Sequence, residues 1–281
     1  MIPNSFEYKR AGSVEEAIGM LSDDVKILAG GHSLIPAMKL RLNNPSTLVD
    51  ISKIASIQGV KENEQSITIG AGTTHATLAS DSTIAQHVPM MAQAAQSIGD
   101  IQVRNKGTIG GSMAHADPAA DWPASLIASD ANVNIAGPNG SRVVDIDQFF
   151  TGFYETALGE NEIITSISVP KSGFNANSSY VKFKQPASRF AIVGCAAAIQ
   201  MDGESIGSIR IALTGVADRA FRVTSVENAL KGQPLNASTI EAAIANGVTE
   251  GNDVLSDHYA SEEYRSHLAK VYVKKALMAL T

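Results

Sequence analysis

The sequence predicts an α+β protein in two domains, and three observations predict it. The chain is 281 residues long, room for about two domains at roughly 100–200 residues each. The stretch 171–178, Lys-Ser-Gly-Phe-Asn-Ala-Asn-Ser, is polar and aperiodic, and marks a boundary between them. Beyond it, strand patterns at about 179–184, 192–201 and 206–214 precede three helical patterns. That order describes a three-stranded antiparallel sheet with helices rather than repeated strand–helix units.

The elements follow in order. Ser13-Val14-Glu15-Glu16 reads as a capping box opening a helix with Val14, Ala17, Ile18 and Leu21 on one face. Val25 to Leu28 is a short strand, 34–42 is helical with Pro36 near its first turn, and Thr47 to Ile51 is another strand. The first 50 or so residues thus form a small β-α-β-like unit. Ser66-Ile67-Thr68-Ile69-Gly70 alternates as a strand does. Helices are expected at 74–80, 88–97 and 123–129. Gly137-Pro138-Asn139-Gly140 joins two strand patterns as a hairpin, and 163–169 is a strand ending at Pro170. In the last third, Thr224-Ser225-Val226-Glu227 and Ser238-Thr239-Ile240-Glu241 read as capping boxes, and the final helix spans about 261–280.

Composition excludes several classes. Apolar residues make up 44% and charged residues 18%, ordinary for a folded soluble protein. A net charge of −6 argues against a nucleic-acid binder, which presents a basic face. The single cysteine, Cys195, sits in an apolar stretch and reads as core filler. It cannot form an internal disulfide, it suits a reducing compartment, and alone it cannot hold an iron–sulfur cluster. The N-terminus has no signal-peptide pattern, and no apolar run approaches the ~18 residues of a membrane helix. A soluble, cytoplasmic protein is expected.

There is no P-loop, no His-Glu-x-x-His and no Gly-x-Ser-x-Gly elbow. Gly70-Ala71-Gly72-Thr73-Thr74-His75 begins like a dinucleotide fingerprint but lacks its last glycine. The six histidines show no metal-ligand spacing, so His75, His87, His258 and His267 are assigned surface or structural roles.

Two Gly-rich segments carry the chemistry: Ala29-Gly30-Gly31-His32-Ser33 and Thr108-Ile109-Gly110-Gly111-Ser112. Glycine lets backbone approach a ligand closely, and successive N–H groups converge on phosphate oxygens as an anion nest. Ser33, Thr108 and Ser112 add hydroxyls, and the helix from Leu34 favours a pyrophosphate at its N-terminus. Asp117-Pro118-Ala119-Ala120-Asp121 follows the second segment. Asp121 is either a carboxylate for ribose hydroxyls or the N-cap of the helix near Pro123.

The segments 29–36 and 104–112 resemble those of the FAD-binding medium subunit of molybdenum hydroxylases, the family of carbon monoxide and xanthine dehydrogenases. The opening Phe6-Glu7-Tyr8, the Leu48-to-Ile51 strand and the 117–122 segment also match, and the resemblance covers essentially the whole chain. It implies a two-lobed p-cresol methylhydroxylase-type FAD domain over 1–175, with lobes of about 1–53 and 54–175. A carbon monoxide dehydrogenase flavoprotein C-terminal domain follows over 176–281.

FAD would lie extended, its pyrophosphate on Ala29, Gly30, Gly31, His32, Ser33 and Leu34 and on Thr108, Ile109, Gly110, Gly111 and Ser112. His115 would lie near the cofactor and Asp121 on its ribose or adenine side. Leu158 and Lys182 would lie toward the flavin ring, the lysine placing a positive charge there. At Phe190 relatives often carry tyrosine; the residue is either an aromatic flavin wall or a core aromatic beside Ile192.

The resemblance further implies that this chain carries no catalytic acid, base or metal ligand. A large molybdopterin subunit would choose and oxidise the substrate. A small subunit would carry two 2Fe–2S clusters, in a dimer of heterotrimers, and FAD here would pass electrons to an external acceptor. The alternative is a stand-alone FAD-dependent oxidase, which would need a substrate pocket that the C-terminal third does not offer.

Overall fold

The computed structural model of the chain describes residues 1–245 and 247–281. It is the mixed helix and strand fold that the sequence predicts, and its two largest sheets are antiparallel, the C-terminal one as expected.

The N-terminal unit contains β1 (Glu7–Arg10), α1 (Val14–Gly19), β2 (Val25–Leu28), α2 (Leu34–Lys39) and β3 (Thr47–Asp50). The strands form a parallel sheet ordered β1-β3-β2, with Tyr8 opposite Leu48 and Ile27 opposite Val49. All four β3 residues are buried, as a strand flanked on both edges should be. All four β1 residues are exposed, so no alternation announces that strand in the sequence. Half of the first capping box forms. Ser13 accepts from the Glu16 N–H, but the Glu16 carboxylate accepts from the Gly12 N–H rather than from Ser13.

The middle unit runs β4 (Val60–Glu62), β5 (Ser66–Gly70), α3 (His75–Ser80), α4 (Ser82–His87), α5 (Pro89–Ser97), α6 (Ile101–Arg104), α7 (Ile109–His115) and α8 (Asp121–Ala128). It continues through β6 (Asn132–Gly137), β7 (Gly140–Asp145), β8 (Phe150–Gly152), β9 (Glu155–Thr156), β10 (Ile163–Pro170) and α9 (Gly173–Ala176). Its five-stranded sheet is ordered β4-β5-β10-β6-β7, so the strand expected to close the region lies at its centre. Ile67 and Ile69 alternate inward at 0% exposure. Every residue of α8 is buried. The polar stretch at 171–178 contains the short helix α9, capped by Ser172, and buried Asn175 donates to the Ser129 and Pro170 carbonyls.

The C-terminal part is β11 (Ser178–Lys184), β12 (Ala191–Asp202), β13 (Ser205–Thr214), β14 (Phe221–Arg222), α10 (Thr224–Leu230), α11 (Ala237–Ile244) and α12 (Glu262–Met278). Its sheet has four strands rather than the expected three. The two-residue β14 adds to the edge of β13, with Phe221 opposite Leu213. Two caps also differ from expectation. The residue before α10 is Val223, which offers no side-chain cap, and α11 is capped reciprocally by Asn236 and Thr239. In both cases the Ser/Thr-to-Glu spacing falls inside the helix.

Strand β12 is buried on both faces. Cys195, Ala197 and Ile199 pack with α10, α11 and α12; Ala196 and Ala198 pack into the core of the middle unit. Alternate side chains on a strand point to opposite faces, and alanine on the second face lets α8 approach. The same parity on β11 turns Tyr180 and Lys182 toward the middle unit, and Val181 and Phe183 toward the C-terminal helices. Among the described residues no helix is long and apolar enough to cross a membrane.

Candidate functional site

A cavity of about 730 Å³ opens between the N-terminal unit, the middle unit and the loop joining β11 to β12. Its size falls within the roughly 300–1,000 Å³ of small-molecule and cofactor sites. Of the candidate residues, Ala29 to Leu34, Thr108, Gly110, Gly111, Ser112, His115, Asp121, Leu158 and Phe190 line it. Ile109 and Lys182 do not.

The two Gly-rich segments touch. A Cβ on Gly30 would stand 2.2 Å from the Lys106 carbonyl oxygen and 2.7 Å from the Gly107 Cα. Glycine at 30 is therefore a condition for closing the two walls. Gly31 adopts φ +73°, the left-handed region that glycine enters without cost. The loop then leaves the N–H groups of Gly30, Gly31, His32, Ser33 and Leu34 without an acceptor among the described residues. Backbone donors without partners are rare away from water. Successive free amides are the kind of donor set that an anion can use. The Ser33 and Ser112 hydroxyls likewise have no partner among the described residues.

The second segment is built differently from the expectation. It is the N-cap and first turn of α7, not a loop, and the amides of Ile109 to Ser112 already have acceptors. The Ile109 N–H donates to Thr73 O at 3.1 Å, the Gly110 N–H to Ala71 O at 2.8 Å, and the Gly111 N–H to Thr108 Oγ1 at 3.1 Å. Gly110 is buried and packed so closely that a Cβ there would lie 2.5 Å from that of Ala71. The second segment thus contributes a packed surface, with the Thr108 and Ser112 hydroxyls at its edge.

Asp121 is not an N-cap: Ala120 holds that position, and Asp121 is the first residue of α8. Its carboxylate is buried and already engaged, accepting from Tyr180 Oη at 2.5 Å, from Ser97 Oγ at 3.4 Å and from Lys182 Nζ at 2.8 Å. Gly194 makes room for the Tyr180 phenol, since a Cβ there would stand 2.4 Å from its oxygen. Burial pushes the Asp121 carboxyl up and the Lys182 ammonium down; their mutual attraction and the two hydroxyl donors oppose that drift. The Lys182 side chain is 3% exposed, and its charge faces Asp121 rather than the cavity.

Other wall residues carry no local motif. Buried His75 accepts from Trp122 Nε1 at 3.1 Å through Nδ1, so its neutral ring carries the proton on Nε2. Burial, then the nearby His32 and Arg104, lower its pKa to about 4. Tyr154, at φ +57°, donates to Asp117 Oδ2 at 3.1 Å and packs its ring 5.1 Å from that of His115. Burial and the Asp117 charge raise its pKa to about 12. The ring of Phe190 is half-exposed at the edge of the cavity, not in the core. His75 and Tyr154 reach the site through contacts remote in sequence, and no local spacing reveals them.

Comparison with known proteins agrees with this geometry. Residues 4–172 match the family described as the FAD binding domain in molybdopterin dehydrogenase, and residues 178–280 match the CO dehydrogenase flavoprotein C-terminal domain. The chain is 40% identical to the carbon monoxide dehydrogenase medium chain of Hydrogenophaga pseudoflava, over 99% of this chain and 98% of that one. It is 38% identical to the glyceraldehyde dehydrogenase medium chain of Sulfolobus acidocaldarius, covering 98% of each. A solved structure of the Hydrogenophaga pseudoflava carbon monoxide dehydrogenase, lacking the Mo-pyranopterin moiety of its molybdenum cofactor, superposes with a TM-score of 0.94 at 41% identity, over 99% of this chain and 98% of that one. The cavity with its row of free amides, the fold around it and the match along both domains agree: this chain belongs to the FAD-binding medium-subunit family of the molybdenum hydroxylases, which are oxidoreductases.

Proposed function

We propose that this chain holds FAD in the cavity and passes electrons from iron–sulfur clusters on a partner subunit to an external acceptor. The observation that carries this reading is the run of five N–H groups from Gly30 to Leu34, without acceptors, on the wall of a cavity of cofactor size. Those donors match the oxygens of a pyrophosphate, and Ser33 and Ser112 add two hydroxyls beside them. Bound FAD supplies the ability to accept and release electrons.

The chain's own residues bind and orient. Gly30 keeps the two walls in contact, Gly31 gives the loop its left-handed turn, and Phe190 supplies an aromatic edge. Tyr154 is fixed by Asp117 against His115. Asp121 lines the cavity while its carboxylate oxygens stay with Tyr180 and Lys182. With one cysteine, the chain has too few thiolates to ligate a cluster itself.

The clusters belong on a small subunit and the molybdopterin on a large one, assembled as a dimer of heterotrimers in the cytoplasm. The FAD domain spans about 1–175, in lobes divided near residue 53, and the C-terminal domain spans 176–281. Purification after co-expression with the neighbouring genes tests this. The expected result is a complex containing flavin, molybdenum and iron–sulfur proteins. Stable FAD binding and substrate turnover by the isolated chain would instead establish a stand-alone oxidase.

A further inference from the structure

The Lys182 ammonium does not reach the cavity, yet it is bonded to a segment that does. Its three protons serve three elements. Nζ lies 2.9 Å from Asp121 Oδ2 at the start of α8, 3.0 Å from Ser97 O at the end of α5, and 2.7 Å from Arg189 O. Arg189 precedes Phe190 in the loop between β11 and β12, which lies at the cavity edge.

That loop is a compact strap. The Gln185 N–H donates to Phe190 O at 2.8 Å, and the Arg189 N–H donates to Gln185 O at 2.9 Å. Its far end is tied down where the Ala191 N–H donates to Ala119 O at 3.1 Å. At its crest Arg189 adopts φ +63°, uncommon for a residue other than glycine. Inside the loop, Gln185 Oε1 accepts from the Ser188 N–H and Ser188 Oγ from the Phe190 N–H at 3.3 Å. Two contacts brace it from outside: Lys182 on the Arg189 carbonyl, and Gly99 O accepting from the Arg189 guanidinium at 3.1 Å.

Neutralising Asp121 would need only the carboxylate contact. The bond to Arg189 O is an addition, and its one structural effect is on the strap. We propose that Lys182 is a positioning residue that acts through the Arg189 carbonyl to hold Phe190 at the cavity edge, and thereby sets how slowly FAD leaves and how far solvent reaches it. The ligand in this statement rests on the FAD reading above; the strap geometry does not.

The test uses the purified complex with Lys182→Met, Phe190→Ala and the double variant. FAD release into excess apoflavodoxin and quenching of flavin fluorescence by iodide are measured. Each single variant is expected to release FAD about tenfold faster and to quench more readily, about 1.4 kcal/mol of lost hold. In the Phe190→Ala background, Lys182→Met is expected to add less than about twofold, because both act on one contact. Equal multiplication in both backgrounds, or wild-type release from Lys182→Met, overturns the proposal.

Where Lys182→Met does not fold, the neutral pair Asp121→Asn/Lys182→Gln, compared with Asp121→Asn alone, carries the same comparison. Hydrogen exchange decides without FAD. The Gln185 and Arg189 amides should exchange faster in a folded Lys182 variant, and unchanged exchange overturns the proposal. Absence of FAD from the wild-type complex would instead refute the proposed function and leave the exchange result to stand.

Discussion

The Lys106 carbonyl oxygen lies 2.2 Å from the point a Cβ on Gly30 would occupy. No side-chain rotation relieves that contact, because the obstacle is backbone. Gly30→Ala therefore separates the two walls of the cavity, and overpacking of this kind costs about 1–3 kcal/mol. Urea unfolding should show that loss, and the purified complex should lack flavin absorbance. Gly19→Ala, within α1 and with nothing within 4 Å, is the control and should be neutral or stabilising by about 0.5–1 kcal/mol. Equal stability of the two variants would refute this account of Gly30.

Thr108 caps α7 by accepting the Gly111 N–H. Thr108→Val keeps the shape and removes the acceptor, so it should lower stability by about 1 kcal/mol. Thr108→Ser should restore most of it. A Val variant as stable as wild type in chemical denaturation would show that the cap is dispensable.

His75 links stability to pH. Its folded pKa is about 4, lowered mainly by burial, against 6.5 for the free side chain. Above pH 6.5 both states are neutral there and nothing is lost. Between pH 6.5 and 4 the unfolded chain binds a proton that the folded one refuses, so stability falls with pH. The loss reaches about 3 kcal/mol by pH 4, where it levels off. His75→Gln keeps an acceptor for Trp122 and should flatten that part of the stability–pH curve. An unchanged slope would assign it to other groups.

Cys195 is fully buried on β12, and burial pushes its thiol pKa far above the usual range. A thiol reagent should find no reactive group in the native protein and one per chain in denaturant. Reaction without denaturant would mean that β12 opens readily.

Much of this fold was legible because the signals were local. The alternation at 66–70, the Gly-Pro-Asn-Gly hairpin and the long final helix all sit where the sequence places them. β1 was not legible: it is exposed throughout and forms because β3 offers it an edge. α7 was not legible either, since paired glycines disfavour helix; close packing on Ala71 requires Gly110, and the capping Thr108 hydroxyl crowds a side chain at Gly111. Asp121 was identified as a site residue, but its two strongest partners lie on β11, where strand parity fixes the face of Tyr180 and Lys182 and says nothing of depth. The first Gly-rich segment was readable because its demands are backbone demands, visible as glycines.

The acceptors already held by the amides of α7 divide the labour of the cavity. One wall is a joint, its amides committed to Thr73, Ala71 and Thr108, with only hydroxyls left at its edge. The other is a hand of five residues, open and uncommitted. Changes at His32 or Ser33 can therefore alter what is grasped without loosening the frame, whereas changes at Gly110 unseat the frame whatever is grasped.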